Sequence, residues 1–211
     1  MNLEKNQIEL IKGLSKIDAL QFGLFTLSNG KVSPYYVDLK IAPSFPDTFR
    51  DICDALVQKI TNEVGMESFD RIAGIPIAGI PFASQVAYNL RKPFLYVRKG
   101  VKLQGRERRV EGILSSGERV LLIDDLVTTG FSLKEAASAV RSEGGIVCEA
   151  VAFIDREEGG KSILEESGVK LGSIFKISDV AKELYEMGSL DDECLKTVMA
   201  QVKMSKKATK V

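Results

Sequence analysis

Residues 120–132 read VLLIDDLVTTGFS and join an unbroken apolar run, two adjacent acids and a short Thr/Gly turn. The run Val120–Ile123 predicts a strand buried on both faces, as in a parallel sheet that helices cover on each side. The turn leads into a segment with helical periodicity. Ligands of open α/β sheets bind beyond the carboxyl ends of the strands, and this is where Asp124 and Asp125 are expected to stand.

The rest of the chain repeats this alternation of apolar strands and amphipathic helices, which predicts an α/β fold with a doubly wound, mostly parallel sheet. Strands are predicted at 71–74, 94–97, 120–124, 146–154 and 170–175. Helices are predicted at 3–20, 47–64, 132–143, 161–167, 178–187 and 191–203. Asp47 is expected to cap the second helix. Between the first two helices, FTLSNGKVSPYYVDL (25–39) predicts a hairpin around the turn signal Ser28-Asn29-Gly30.

The length of 211 residues suits one domain. We expect a small N-terminal hood over roughly 1–45, a core over roughly 46–180, and C-terminal helices with a tail over 181–211. The uncharged stretch 72–90 contains Gly and Pro, so it predicts a strand, a turn and a buried helix rather than a membrane span. The charged amphipathic start resembles no secretory signal, so a cytoplasmic location and no membrane partner are expected.

The composition excludes several kinds of chemistry. The chain has 29 basic and 29 acidic residues, which argues against a general nucleic-acid-binding surface. It contains no histidine, so Ser-His-Asp and Cys-His nucleophiles and imidazole bases are excluded. Cys53, Cys148 and Cys194 are far apart and are expected to be reduced and mostly buried, which leaves no thiolate metal site.

The turn after the two acids predicts a phosphate site. Backbone N–H groups of Thr128 to Ser132 would lie at a helix N-terminus, where an anion is stabilised, and the hydroxyl side chains add donors. Two carboxylates beside a phosphate would repel it unless they bind the vicinal hydroxyls of a sugar or a magnesium ion. The plainer alternative is an acidic strand end that caps a helix.

The string VLLIDDLVTTGFS resembles the phosphoribosyl pyrophosphate (PRPP) signature of type I phosphoribosyltransferases, which implies the fold of that family. The resemblance implies that the two acids bind the ribose hydroxyls and that the turn binds the 5-phosphate. The PRPP-binding residues that it implies here are Asp124, Asp125, Leu126, Val127, Thr128, Thr129, Gly130, Phe131 and Ser132. It also implies Mg2+ as cofactor, held mainly through PRPP, with the two acids as candidate ligands.

The segment YVRKGVKLQGRERRVEG (96–112) places many cations on a Gly-containing loop between two strands. Such a loop could close over a leaving pyrophosphate and stabilise its growing negative charge, although a solvated charged loop is the plainer alternative. The spacing resembles the catalytic loop of orotate phosphoribosyltransferases. That resemblance implies catalytic roles for Arg98, Lys99 and Lys102, and PRPP binding by these three and Gln104. The family usually has histidine where Gln104 stands.

Three further segments extend this resemblance. The stretch 25–40 resembles the hood motif FxLxSGxxSxYYxDxK, which implies that Tyr35 and Tyr36 contact the base, although both could pack in the core. DREEGG (155–160) resembles the segment whose Arg binds orotate, which implies orotate binding by Arg156, together with Thr128; alone, it would be read as a charged surface turn. GIPIAG (74–79) implies pyrophosphate binding by Ala78 and Gly79, although it could be an ordinary tight turn.

The resemblance as a whole implies an orotate phosphoribosyltransferase, which converts orotate and PRPP to orotidine 5′-monophosphate and pyrophosphate in de novo UMP synthesis. It further implies a homodimer in which loop 98–112 completes the neighbour's site, and no nucleic-acid partner. Two alternatives stay open. One is a phosphoribosyltransferase for a purine or for uracil, and the other is a PRPP-binding regulator that binds nucleic acid.

Overall fold

The computed structural model describes residues 4–26, 30, 32–100 and 108–208. The N-terminal elements are helix α1 (Lys5–Lys16), strands β1 (Leu20–Thr26) and β2 (Val32–Val37), a 3-10 turn (Leu39–Ser44) and helix α2 (Pro46–Lys59). The two strands pair antiparallel, with Leu20 opposite Val37 and Thr26 opposite Val32. The predicted hairpin is therefore confirmed, although it starts five residues earlier than expected.

The first helix is shorter than its periodicity predicted. It begins at a capping box formed by Glu4 and Gln7 and ends at Lys16, not at Leu20. Asp18 has a φ of 58°, in the left-handed region, so the chain turns there and Leu20 enters β1. The apolar residues after the turn face the same core as α1 but do so from a strand. Their agreement with helical spacing is a coincidence.

The start of α2 also differs from the expectation. Phe45 is the N-cap and Pro46 fills the first helical position, where its missing N–H costs no hydrogen bond. Asp47 lies in the first turn rather than at the cap, and its carboxylate there still suits the positive end of the helix dipole. The helix continues as a π turn over Ile60–Val64 and ends at Gly65, whose φ is 87°.

The central sheet has six strands and confirms the doubly wound, mostly parallel prediction. They are β3 (Arg71–Gly74), β4 (Phe94–Val97), β5 (Val110–Glu111), β6 (Val120–Val127), β7 (Glu149–Asp155) and β8 (Lys170–Lys176). Their order is β5-β4-β3-β6-β7-β8, and all neighbours are parallel except β4 and β5. The strands that follow β3 in the sequence, β4 and β5, are added on one side of it, and those that follow β6, β7 and β8, are added on the other side. A crevice therefore opens between the carboxyl ends of β3 and β6.

Helices cover both faces of the sheet. The remaining helices are α3 (Gly79–Leu90), α4 (Phe131–Ser142), α5 (Gly160–Glu166), α6 (Ile177–Glu186) and α7 (Asp192–Ala208). On β6, Leu121 and Ile123 pack into a core with α1, α2, α3, α6 and α7, whereas Val120 and Leu122 pack on the opposite side with α4 and α5. This division explains why the strand is apolar throughout. The hairpin shares the first core through Leu20, Tyr35 and Val37.

Three further expectations need correction. The polar segment 98–112 contains the short strand β5, which pairs with β4. The strand predicted at 146–154 starts only at Glu149. Ile146 pairs with Arg119 in an isolated bridge that is not continuous with this strand. Cys148 is exposed, whereas Cys53 is buried as expected.

Among the described residues, no helix is long and apolar enough to span a membrane.

Two glycines bring the turn after β6 against the turn after β7. A Cβ on Gly130 would lie 2.8 Å from the carbonyl oxygen of Gly160, and a Cβ on Gly160 would lie 2.5 Å from Cγ1 of Val127 and 2.7 Å from the carbonyl oxygen of Thr128. Backbone hydrogen bonds join the same turns, from Gly160 N to Thr128 O at 3.0 Å and from Arg156 N to Val127 O at 2.9 Å. The two turns therefore form one unit at the carboxyl edge of the sheet.

We expect Gly160→Ala to lower the free energy of unfolding by about 1–3 kcal/mol, because the added methyl group overpacks a contact made largely of backbone. Gly13→Ala is the matched control. Gly13 lies inside α1 with only Thr48 at 4.0 Å, so the same change there should raise stability by about 0.5–1 kcal/mol. Urea unfolding measures both variants, and equal stability of Gly160→Ala and wild type would contradict the close contact.

Candidate active site

The two acids of β6 stand at the crevice, as the sequence predicted. Asp124 is 7% exposed, and its Oδ1 accepts a hydrogen bond from the backbone N of Asp125 at 3.0 Å. The β3–α3 turn closes over it: a Cβ on Gly79 would lie 2.8 Å from that same oxygen. Glycine at this position is therefore what lets the turn approach the carboxylate. Ala78 precedes it as the N-cap of α3, and the peptide bond from Pro76 to Ile77 in the same turn is cis.

Burial controls the protonation of the pair. Burial, followed by the neighbouring charge of Asp125, raises the pKa of Asp124 well above its ordinary value. Burial also raises the pKa of Asp125, while the positive charge of Lys40 opposes that rise. Two close carboxylates in a poorly hydrated place favour keeping one shared proton. Positive charge or hydroxyl donors from a ligand would relieve this cost, so the pair is suited to binding such groups.

The turn after β6 is the segment for which the sequence predicts an anion cradle. It surrounds a concavity of about 60 Å3 that is lined by Asp124, Leu126, Val127, Thr128, Thr129, Gly130, Phe131, Ser132 and Leu133. Gly130 has a φ of 75° and is the N-cap of α4, so the first N–H groups of that helix face the concavity without helical partners. Thr129 and Ser132 are exposed there. These donors suit a phosphate group.

The stem of the cationic loop lies beside this cradle. Arg98 and Lys99 are exposed and share a small recess with Pro76 and Ser132. Backbone N of Arg98 donates to the carbonyl oxygen of Arg109 at 2.8 Å, which closes the stem. Lys99 is close enough to Asp124 for its charge to favour the ionised carboxylate. The described part of the loop therefore starts next to the acids and the cradle.

Glu143 anchors the other side of this stem. Its Oε1 accepts from the backbone N of Arg109 at 2.9 Å and of Val110 at 3.0 Å. Glu143 follows the last turn of α4, whose first turn forms the cradle. Sequence reasoning missed this role, because a carboxylate at a helix end carries no local pattern that points to a strand 33 residues earlier.

Arg156 follows β7 and is buried, with 7% of its surface exposed. Its Nε donates to the hydroxyl of Tyr35 at 3.2 Å, and its guanidinium carbon lies 4.8 Å from the centre of that ring. Tyr35 is fully buried, and desolvation raises its pKa to about 12, so the hydroxyl keeps its proton. The Tyr35 hydroxyl thus holds the guanidinium at the hood side of the crevice.

One nitrogen of Arg156 has no hydrogen-bond acceptor. Nη2 is buried, and it lies 2.7 Å from Oε1 of Glu158 without an aligned N–H donation to it or to any other described residue. A buried donor left in this way favours a ligand that brings an acceptor. A planar carboxylate is the group that matches a guanidinium best.

Tyr36 does not join Tyr35 at Arg156. Adjacent strand residues point to opposite faces, and the Tyr36 ring packs on Phe25 with its hydroxyl 3.5 Å from Asp38. Asp38 also binds Nζ of Lys40 at 2.8 Å, and this hydrogen bond raises the pKa of Lys40. Lys40 is a site residue that sequence reasoning left without a role, although the quoted hood motif ends on it.

The structure therefore brings together most of the residues that the sequence singled out. The acids, the cradle, Ala78, Gly79, the loop stem and Arg156 all lie at one edge of the sheet. Lys102 and Gln104 lie outside the described residues, and their roles stay predictions. Among the residues that the structure describes, no cluster of three or more acidic or cysteine side chains could hold a metal ion.

Comparison with known proteins agrees with this architecture. A family model described as "Phosphoribosyl transferase domain" matches residues 47–184. The chain belongs to the phosphoribosyltransferases, and the match covers the core that carries both acids, the cradle and Arg156.

Within that class, the chain belongs to the orotate phosphoribosyltransferase family. It is 41% identical to the orotate phosphoribosyltransferase of Cenarchaeum symbiosum over 85% of this chain and 90% of that protein. It is 40% identical to that of Staphylothermus marinus over 92% of this chain and 93% of that protein.

Solved structures give the same result. The orotate phosphoribosyltransferase of Aeropyrum pernix is 30% identical with a TM-score of 0.71, over 85% of this chain and 99% of that one. The UMP synthase of Leishmania donovani is 30% identical with a TM-score of 0.82. That match covers 94% of this chain but only 42% of the longer Leishmania chain.

We expect Asp124→Asn to stabilise the fold while weakening PRPP binding. Because the pKa of Asp124 is raised on folding, the unfolded chain releases a proton that the folded chain retains, and stability is lost as the pH rises above the ordinary Asp value. Asparagine removes this cost and keeps the acceptor for the Asp125 N–H. The melting temperature should rise by about 3 °C or more at pH 8, and the difference should disappear below about pH 4.

Asp54→Asn is the matched control for this change, because Asp54 is exposed on α2. It should leave both the melting temperature and PRPP binding unchanged. Differential scanning calorimetry across pH 4–8 and titration with PRPP measure the two effects. An Asp124→Asn protein that is less stable than wild type at pH 8 would show that the buried carboxylate carries no such cost.

Proposed function

We propose that this protein transfers the 5-phosphoribosyl group from PRPP to orotate, giving orotidine 5′-monophosphate and pyrophosphate in de novo UMP synthesis. Relatives that share about 40% of its residues over most of the chain bear the name orotate phosphoribosyltransferase. The single observation that carries the choice of base is the buried guanidinium of Arg156, whose Nη2 makes no aligned hydrogen bond to any described residue. Orotate has a carboxylate to offer it, whereas uracil and purines have none.

The ribose phosphate is assigned to β6 and the turn that follows it. The N–H groups and hydroxyls of residues 128–132 bind the 5-phosphate, and Asp124 and Asp125 accept hydrogen bonds from the ribose hydroxyls. The raised pKa values of the two acids suit this role, because hydroxyl donors stabilise the carboxylate form that burial opposes. The sugar is thereby held with its reactive carbon toward the crevice.

The loop cations act on the leaving group. As the bond to pyrophosphate breaks, the ribose carbon gains oxocarbenium character and negative charge grows on the pyrophosphate. Arg98, Lys99 and Lys102 stabilise that charge, and the backbone at Ala78 and Gly79 adds donors. Gln104 contributes a hydrogen bond and no proton. An orotate nitrogen then bonds to the ribose carbon from the opposite face as the carbon–oxygen bond to pyrophosphate breaks, and the proton that this nitrogen loses goes to the released pyrophosphate. No step uses an imidazole, since the chain has no histidine.

The base is placed between Arg156 and the hood. We assign the orotate carboxylate to Arg156, with Tyr35 holding the guanidinium in place and with Thr128 and Tyr36 as further contacts. Because the backbone N of Arg156 is bonded to Val127 O, the base site is fixed relative to the phosphate site. A base with a carboxylate is therefore presented to a sugar that the same turn holds.

We also propose a dependence on Mg2+. Asp124 and Asp125 are the carboxylates that would contact the ion, and the described residues offer no third ligand beside them. Mg2+ commonly takes one or two protein carboxylates and completes its shell with water and substrate phosphates, so this donor set fits it. When bound, the ion neutralises pyrophosphate charge.

The test of the function is the fall in orotate absorbance when the purified protein is mixed with orotate, PRPP and Mg2+. Uracil and hypoxanthine are run in parallel, and a reaction without Mg2+ measures the metal requirement. We expect turnover of orotate alone and loss of turnover when the ion is removed. Turnover of another base would replace the proposed substrate, and tight PRPP binding without turnover of any base would support a regulator instead.

We further propose that the protein is a cytoplasmic homodimer in which the loop 98–112 completes the neighbour's site. Its described stem is exposed, and Tyr96 and Ile113 beside it are large apolar side chains with 39% and 76% of their surface exposed. Exposed apolar surface beside this stem favours a contact between subunits. Neither the location nor the dimer has been tested, and both stay predictions.

Mixing two inactive variants tests the loop's action on the neighbour. Lys99→Ala should lower kcat by about 10²-fold, and Asp125→Asn should weaken PRPP binding. If the loop acts across the dimer, a mixed dimer contains one site with both wild-type residues. Random exchange of subunits should then restore about a quarter of the wild-type activity.

The control is a mixture of Lys182→Ala with wild type, because Lys182 is an exposed residue of α6 outside the site. That mixture should keep full activity. If the two inactive variants exchange subunits, as mass spectrometry can show, and activity does not return, the loop serves its own subunit.

A further inference from the structure

The guanidinium of Arg156 already has a counterion, Glu158, which the proposed mechanism does not use. The two side chains lie 2.7 Å apart between Nη2 and Oε1. Glu158 Oε1 also accepts a hydrogen bond from the Tyr35 hydroxyl at 3.4 Å. The three side chains form a cluster between the hood and the end of β7, and Glu158 is the member whose role is unassigned.

The geometry of this pair is incomplete. The guanidinium nitrogen is buried, yet its N–H bonds are not aligned with the Glu158 carboxylate, so the contact supplies charge without a hydrogen bond to Nη2. The 3.4 Å contact from the Tyr35 hydroxyl is long as well. A carboxylate that approached Nη2 in line would therefore make a stronger interaction than Glu158 does.

The three side chains also differ in their freedom to move. Arg156 and Tyr35 are 7% and 0% exposed, whereas 22% of the Glu158 side chain is exposed. Glu158 lies in the turn between β7 and α5, so water is within reach of its carboxylate. If the pair separates, Glu158 is the member that can be solvated at small cost, while Arg156 must stay buried.

We propose that Glu158 holds the place of the substrate's carboxylate: it neutralises Arg156 while the base site is empty and is displaced when a carboxylate-bearing base binds. This inference rests on the proposed function and assigns a role in setting the affinity for orotate to a residue that does not react. Glu158 acts through Arg156, so it is a positioning residue.

The exchange has two physical consequences. An unpaired buried arginine is costly, so Glu158 stabilises the empty site, and the incoming carboxylate gains only the difference between the two pairings. A neutral base that displaced Glu158 would leave the buried Arg156 guanidinium without an opposite charge, so this displacement is unfavourable. Glu158 therefore lowers the affinity for orotate, and a base without a carboxylate loses the same pairing with no charge to replace it.

Glu158→Gln tests this exchange, because it removes the competing charge and keeps the size of the side chain. We expect the KM for orotate to fall by about tenfold while kcat changes by less than about twofold, and orotate should raise the melting temperature more in the variant than in wild type. The melting temperature without orotate should fall, since Arg156 loses its counterion. An unchanged or increased KM would overturn the proposal.

Glu165→Gln is the matched control. Glu165 is an exposed carboxylate on α5 that lies 3.8 Å from Lys161, outside the site. The same charge removal there should leave the KM and the thermal shift unchanged. An equal fall in KM for both variants would show a general charge effect and overturn the specific role of Glu158.

Glu158→Asp covers the case in which the glutamine variant does not fold. Aspartate keeps the charge but is one methylene shorter, so its pairing with Arg156 is weaker and the KM for orotate should fall by a smaller factor. A KM equal to or above that of wild type in this folded variant would overturn the proposal as well.

Arg156→Ala separates this inference from the proposed function. If wild type does not convert orotate, the proposed function fails. If wild type converts orotate and Arg156→Ala raises the KM, but neither Glu158 variant lowers it, then only the displacement of Glu158 fails.

Discussion

The rest of the site depends on a buried carboxylate, Asp124, and its half-buried neighbour Asp125, which lie where the strand order of the sheet reverses. Asp124 and Asp125 lie within β6, just past the point where its pairing with β3 ends at Gly74 opposite Ile123. The Gly79 turn approaches Asp124 so closely that no side chain would fit there. Buried charge without a partner is unfavourable. Hydroxyl donors or positive charge from a ligand would lower this cost, which is why the proposed function places the ribose of PRPP at this crevice.

Two adjoining turns divide the recognition of that ligand. The turn after β6 surrounds a concavity for an anion, and the turn after β7 presents Arg156 toward the hood. The contact between Gly130 and Gly160 and the hydrogen bond from Arg156 N to Val127 O hold the turns together. In the proposed function, the distance between the sugar phosphate and the base is therefore set by the backbone, whereas the choice of base depends on side chains that the hood and the β7 turn contribute.

Much of this was readable from the sequence, because the strongest signals are local. The apolar run of β6, the acid pair and the Thr/Gly turn lie within one continuous stretch, and their order alone places them at a strand end. The parts that were missed depend on contacts between distant residues. Asp18 ends α1 through its backbone conformation while the apolar spacing continues, and Glu143 and Glu158 act on partners 33 and 123 residues away in the chain. The strand β5 is too short to show a pattern within a charged segment.

The hydrogen bond from Arg98 N to Arg109 O closes the base of the cationic segment and so limits how far that segment can reach. Four residues of extended chain span at most about 14 Å, so a segment that starts at this stem acts only close to it. The stem itself is fixed by Glu143 and by pairing with β4. The position of the stem therefore determines which sites the loop can reach. Substitutions further along the loop can change what it binds but not how far it reaches.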